Sequence, residues 1–249
     1  CHIYRSIDDL WKFEKLEVVV IATPTKLHQK LTCRALQEGS YVVLEKPMTT
    51  SLKLADKMIE EARKQNRYIF LYQPHRLTSE TQTIKEIIQS NILGPIYNLR
   101  ITRSNFVRRS DWQSLQKHGG GMLNNYGPHC IDQLLYLSDG SPIVDVHCNL
   151  WASATQGDAD DVVKAWFKTK KGQLLDLEIN QATAFSIPPW HICGSFGTAI
   201  MENKQFLIKY YNPSEVPHLE VTEGAAPGRF YDNGDRLPWR KEAISILKE

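Results

Sequence analysis

The sequence predicts an α/β half-domain on a parallel sheet of the doubly wound kind, followed by an α+β domain with a mostly antiparallel sheet. Three observations predict it. Up to Tyr72, continuous apolar runs alternate with amphipathic stretches, the order that produces right-handed βαβ units. After Arg76 that order stops, and alternating polarity takes over, as in Leu175, Leu177 and Ile179 against Asp176, Glu178 and Asn180. The 249 residues, 42% hydrophobic and 23% charged, suffice for two moderate domains. The expected division is residues 1–76 and 77–249.

Each element has a local reason. Ser6 caps a short acidic helix, with Asp9 at its third position. Residues 18–23 are an apolar strand ended by Pro24, and residues 26–38 a helix with Leu27, Leu31 and Leu36 near one face and Gly39 as its stop. In the second strand, Val42, Val43 and Leu44 form a run suited to a central parallel strand covered on both faces. A helix over residues 49–65 places Leu54, Ala55, Met58, Ile59 and Ala62 at helical spacing, and residues 68–72 are the third strand. Beyond Arg76, residues 81–90 form a helix, stopped by Gly94-Pro95, and residues 96–106 a strand. Gly119-Gly-Gly121 opens a helix to Leu137; Pro128 fits a first turn, so the regular helix can also begin nearer Gly127. Strands over residues 143–152, 161–169, 173–182, 190–193, 199–202 and 206–211 complete the second domain. The tail beyond Asn212, rich in Pro, Gly and charge, reads as mostly loop.

Bulk properties exclude several classes. A net charge of +2 carries no nucleic-acid footprint. No apolar run approaches the roughly 20 residues of a membrane span. The five cysteines, Cys1, Cys33, Cys130, Cys148 and Cys193, are odd in number and scattered, which argues against a disulfide framework or a zinc site and for free thiols in a reducing cytoplasm. His75, His118, His147 and His218 show no metal spacing.

Two stretches can carry chemistry. Glu45-Lys46-Pro47 closes a parallel strand, at the edge where open α/β sheets bind ligands, and Pro47 biases Lys46 towards an extended conformation. A lysine held there can work on a bound molecule; the same residues can equally be a strand end with a solvated ion pair. Further on, Asn125, His129 and Asp132 stand four and three residues apart, on one face of a helix. A histidine with a polar orienter suits proton transfer from an alcohol near neutral pH; the other reading is a helix start whose histidine bonds locally. The triple glycine reads as a flexible turn. Arg103, Arg108 and Arg109 with Asp111-Trp112 either reach a hydroxylated or anionic substrate or form a solvated loop, and Trp190 is either core or a sugar platform.

Val19-Val-Ile-Ala-Thr-Pro-x-x-x-His28, Glu45-Lys-Pro47 and Gly119-Gly-Gly-x-Leu-x-Asn-x-Gly-x-His129-x-x-Asp132 occur in this order. Together they resemble the Gfo/Idh/MocA family of NAD(P)-dependent oxidoreductases. Gln73 and Arg76, Gly94-Pro95-Ile96 and Gly194-x-x-Gly197-Thr198 add lesser matches, so the resemblance covers essentially the whole chain. It implies a Rossmann domain followed by an α+β domain with a large, open, mostly antiparallel sheet. It implies hydride transfer between NAD or NADP and a sugar, cyclitol or related polyol. By position, Lys46 binds the substrate oxygen near the nicotinamide and His129 removes the hydroxyl proton, with Asn125 beside them. Thr23, Pro24, His28 and Glu45 join Lys46 on the cofactor side; Arg76, Trp112, Asn125 and Asp132 fall on the substrate side. Pairing of open sheets between copies makes a homo-oligomer the expected assembly.

Two departures from the family pattern shape the expectations. Asn125 stands where the family usually has aspartate, which leaves the histidine less support and opens an alternative: a catalytically silent relative that senses a nucleotide or sugar, or binds a protein partner. The sequence also contains no GxGxxG. That fingerprint belongs to a first βαβ unit, expected to lie upstream of Cys1. The 249-residue chain alone is therefore expected to bind NAD(P) poorly, to expose the strand at Val18 as an apolar edge, and to aggregate.

Overall fold

The hydroxyl of Ser6 accepts the Asp9 amide at 3.1 Å and opens the first helix, α1 (Ile7–Phe13). The structure is a computed structural model and describes residues 2–218, 224 and 237–246. These residues form two units. The first runs to Pro74 and adds Val107–Asp132 and Leu150–Val163; the second comprises His75–Phe106, Gln133–Asn149 and the chain from Lys164 onward.

In the first unit, β1 (Val18–Ile21), β2 (Tyr41–Leu44) and β3 (Ile69–Leu71) form a parallel sheet in that order, with Val19 opposite Val42 and Val43 opposite Phe70. Between the strands run α2 (His28–Gln37) and α3 (Leu52–Lys64). Both helices pack on one face, where Ile21, Val42 and Leu44 close over Ala35, Leu36 and Met58. Strand periodicity sends Val18, Val20 and Phe70 to the other face, where they are 53%, 68% and 56% exposed. The expected cover on both faces of β2 is thus corrected: Val42 and Leu44 are buried, whereas Val43 points away from the helices and is only partly covered. The predicted exposed apolar edge is present at β1.

The second unit opens with α4 (Ser79–Gln89), capped by Thr78. Most of an eight-stranded sheet follows: β4 (Ile96–Ser104), β5 (Ile143–Trp151), β6 (Val162–Thr169), β7 (Leu174–Asn180), β8 (Trp190–Gly194), β9 (Gly197–Glu202), β10 (Gln205–Tyr210) and β11 (Arg240–Ser245). Its order is β11-β10-β9-β8-β4-β7-β6-β5. β4 and β7 run parallel, and β4–β8, β8–β9, β9–β10 and β10–β11 are antiparallel. The alternating pattern is realised directly: Leu175, Leu177 and Ile179 are fully buried with Leu99 and Ile101. Asp176, on the other face, is held by Arg100 of the neighbouring strand at 2.7 Å. Trp190 is core, its indole N–H donating to Glu80, whose carboxylate also takes Arg103 at 3.1 Å.

The loop expected beyond Asn212 is corrected at β11, which pairs with β10 from Tyr210 opposite Arg240 to Gln205 opposite Ser245. The sequence Arg-Lys-Glu-Ala-Ile-Ser lies at the sheet edge and stays mostly exposed, so no apolar alternation marked it. The rest of that expected loop, residues 219–223, 225–236 and 247–249, lies outside the described residues, as does Cys1. Among the described residues, Cys33, Cys130, Cys148 and Cys193 are not joined in disulfides. Among the described residues no helix is long and apolar enough to cross a membrane.

Candidate functional site

Because β1 and β2 are parallel, their chains leave the sheet at the same carboxyl edge, β1 into Ala22-Thr23-Pro24 and β2 into Glu45-Lys46-Pro47. His28, the first residue of α2 and 1% exposed, ties the two together. Its Nε2 lies 2.9 Å from the Thr23 carbonyl oxygen and its Nδ1 2.9 Å from that of Pro47. Both partners are acceptors; a neutral ring donates to one of them and a protonated ring to both. Glu45 turns back to accept the Lys46 amide at 3.2 Å, and the Lys46–Pro47 peptide is cis.

The Lys46 side chain ends on Asn125. Its Nζ donates to the Asn125 carbonyl oxygen at 2.6 Å and to Oδ1 at 3.1 Å. The Asn125 amide is oriented from its other side, where Nδ2 donates to Gln113 Oε1 at 2.9 Å. Gln113 sits in a 3-10 turn (Trp112–Ser114) whose cap, Asp111, accepts the Gln113 amide at 2.8 Å. Burial pushes the Lys46 ammonium below the usual lysine range, and the Glu45 carboxylate opposes that shift in part. A cation made easier to deprotonate, held by two oxygens, faces a cavity of about 310 Å³. Thr23, Pro24, Lys46, Trp112, Gln113 and Asn125 are among its walls.

Gly119 and Gly120 build part of that wall, and the glycines at 119–121 are not a loose turn. Gly120 and Gly121 are buried, and their amides donate to the carbonyls of Leu115 at 3.1 Å and Gln113 at 2.9 Å. A Cβ on Gly120 would lie 2.2 Å from the Gln113 carbonyl oxygen. One on Gly121, whose φ is +102°, would lie 2.0 Å from the Asp160 carboxylate. The helix expected to follow is interrupted. A single turn, α5 (Met122–Asn125), ends at Tyr126, and α6 (Gly127–Leu137) begins with Pro128 in its first turn.

The residues expected to matter are distributed as follows. Thr23, Pro24, Lys46, Trp112 and Asn125 meet on the one cavity. His28 braces two of its walls, and Glu45 adjoins Lys46. His129 and Asp132 are buried in α6, with the His129 ring edge-on to Tyr126 at 5.9 Å, and neither is among the lining residues. Arg76 belongs to the second unit, where its guanidinium lies 5.7 Å from the Tyr136 ring centre. Arg103, Arg108 and Arg109 each have a partner, in Glu80, Gln156 and Asp111. Sequence reasoning missed Gln113 and Asp160. The one local signal was Asp111, a capping residue two positions before Gln113.

The walls suit the nicotinamide half of a dinucleotide. Thr23 Oγ1 is buried there without a hydrogen-bond partner among the described residues, beside a lysine that can meet a polar group. The β1–α2 and β2–α3 turns contain no glycine, so the glycine-rich cradle for a pyrophosphate is not found between described parallel strands and their helices.

Comparison with known proteins places these features in context. Residues 1–73 match the model of an oxidoreductase family with an NAD-binding Rossmann fold, and residues 81–200 match the Gfo/Idh/MocA C-terminal domain. An uncharacterized oxidoreductase of Schizosaccharomyces pombe is 30% identical over 137 residues, 54% of this chain and 37% of that protein. The scyllo-inositol 2-dehydrogenase (NADP(+)) of Bacillus subtilis is 27% identical over 137 residues, 54% of this chain and 38% of its own length. The match thus spans less than two-fifths of the length of each of these two relatives. Among solved structures, an NAD-binding protein from Listeria innocua superposes with a TM-score of 0.81 at 26% identity, over 99% of this chain and 71% of that one.

Proposed function

We propose, since the chain belongs to the Gfo/Idh/MocA family of oxidoreductases, that it forms part of an NAD(P)-dependent dehydrogenase acting on a sugar, cyclitol or related polyol. The observation that carries this reading is the Lys46 ammonium, desolvated and fixed on Asn125 in the wall of a cavity. The Bacillus relative, named for scyllo-inositol and NADP(+), supports a polyhydroxylated alcohol as the substrate class.

The dinucleotide, when bound, supplies the acceptor for hydride. The chain's own residues do the rest. Thr23 and Pro24 line the cofactor side, and His28 keeps the Thr23 and Pro47 segments together. Lys46 donates a hydrogen bond to the substrate oxygen and, being displaced below the ordinary lysine range, passes a proton more readily than a solvated lysine. His129 takes the hydroxyl proton, the role implied by its place in the glycine-to-aspartate motif. Asn125 sets the direction of the ammonium, and Arg76, Trp112 and Asp132 are proposed with it on the substrate side.

A second reading rests on Asn125 itself. An uncharged amide at this position gives neither Lys46 nor His129 the support of a carboxylate, which suits a relative that binds nucleotide or sugar without turning it over. Formation of reduced dinucleotide by the full-length protein, over a panel of sugars and inositols, tests the leading reading; binding without turnover favours the second.

A further inference from the structure

Residues 158–160 hold both arms of the turn that carries Gln113 and Asn125. On the first arm the buried Ala159 donates its amide to the Ser114 carbonyl at 3.0 Å, and Asp158 Oδ1 accepts the Gln116 amide at 2.9 Å. On the second arm Asp160 makes two bonds. Its carbonyl oxygen accepts the Met122 amide at 2.8 Å, and its Oδ2 accepts the Leu123 amide at 2.8 Å. These are the first two amides of α5, donors that the helix itself cannot satisfy. Asn125 is the last residue of that single turn, and its amide donates back to the Gly121 carbonyl at 3.0 Å. Where α5 begins therefore decides where Asn125 stands, and Asp160 holds the beginning. Its Oδ1 lies against Gly121, at a distance that leaves no room for a Cβ. Asp160 is not among the walls of the Lys46 cavity.

We propose that Asp160 is a positioning residue for the Lys46 ammonium, acting through α5 and Asn125 without touching substrate or dinucleotide. The inference rests on the reading of the Lys46 cavity given above. One turn of helix is too short to hold its own shape in water, so its place must come from outside partners. Asp160 supplies two of them, and its carboxylate also complements the partial positive charge of the exposed amides. Without that hold the start of α5 frays, and the Asn125 carbonyl and Oδ1 move off Lys46 Nζ. The ammonium then loses acceptors that favour its charged form, and its pKa falls further. Loss of the Asp160 charge alone would act in the same direction. Asparagine separates the two causes: its amide oxygen still accepts the Leu123 amide, but it carries no charge.

Competitive acetylation of the full-length protein, read at Lys46 by peptide mass spectrometry from neutral to alkaline pH, follows this amine without any need for turnover. The expected result is a lower midpoint in Asp160→Ala and a midpoint like the wild type in Asp160→Asn. In the active enzyme, Asp160→Ala lowers kcat about tenfold and keeps KM for the dinucleotide within about twofold, and Asp160→Asn restores kcat. Asp160→Ser, with a shorter acceptor, takes the place of the alanine variant if that one does not fold, and falls between alanine and wild type. An unmoved Lys46 midpoint in the alanine or serine variant, an asparagine variant displaced as far as alanine, or an unchanged kcat in Asp160→Ala overturns the proposal. The expected midpoints in a wild type that turns over no sugar or inositol uphold the positioning role and defeat the dehydrogenase reading instead.

Discussion

Lys46 and Asn125, 79 positions apart in the chain, meet through two hydrogen bonds, from Nζ to the Asn125 carbonyl oxygen and to Oδ1. The side-chain acceptor is an amide, so the ammonium is held by dipoles and not by a counter-charge. Burial can therefore depress its pKa with only Glu45 in opposition.

This arrangement fixes the sign of a pH effect. A carboxylate in place of the amide favours the ammonium, so Asn125→Asp raises the Lys46 pKa. If the ammonium is the working form, activity falls as pH rises through that value. The alkaline limb of kcat/KM then moves to higher pH in Asn125→Asp than in the wild type. A limb that stays in place or moves down shows that the pair does not set it.

Gln113 acts on Lys46 only through Asn125. Gln113→Leu removes the acceptor that holds Nδ2, and the amide is then free to turn its NH₂ group towards the ammonium. The expected loss in kcat/KM is about tenfold. Gln113→Glu keeps an acceptor and should recover most of it. Equal losses in the two variants would mean that Gln113 matters for packing alone.

His28 is a bracing residue. His28→Ala leaves the Thr23 and Pro47 carbonyls without their partner in a buried setting, at a cost of about 1–3 kcal/mol. Urea denaturation reads this as a lower midpoint at unchanged slope. An unchanged midpoint would remove the clamp from the account.

The glycines make opposite predictions at adjacent positions. A Cβ at Gly119 meets nothing within 4 Å, and its φ of +73° limits the cost of Gly119→Ala to about 1 kcal/mol. Gly120→Ala drives a methyl group against the Gln113 carbonyl and must move the turn that carries Gln113. It should lower stability more than Gly119→Ala and should also lower turnover. Indistinguishable variants would show that the turn yields freely.

Both units were legible where their signals are local. Apolar runs at β1 and β2 end in proline, Ser6 caps α1, and Leu175, Leu177 and Ile179 announce their face by alternation. What escaped depends on distance in sequence or on absence of pattern. The meeting of Lys46 with Asn125, and the packing of Gly121 on Asp160, are long-range contacts with no periodicity to betray them. β11 is polar because it is an exposed edge, so its composition imitates a loop. Val43 is as apolar as Val42, and composition alone does not tell which of two neighbours faces the helices.

The central claim is that Lys46 and His129 serve the oxidation of a polyol. Its most direct test is steady-state reduction of NAD⁺ and NADP⁺ by the full-length protein over a panel of sugars and inositols, with Lys46→Ala and His129→Ala measured alongside. The account predicts turnover in the wild type and a loss of about 10²–10⁴-fold in each variant. Binding without turnover in the wild type, or undiminished turnover in both variants, would contradict it.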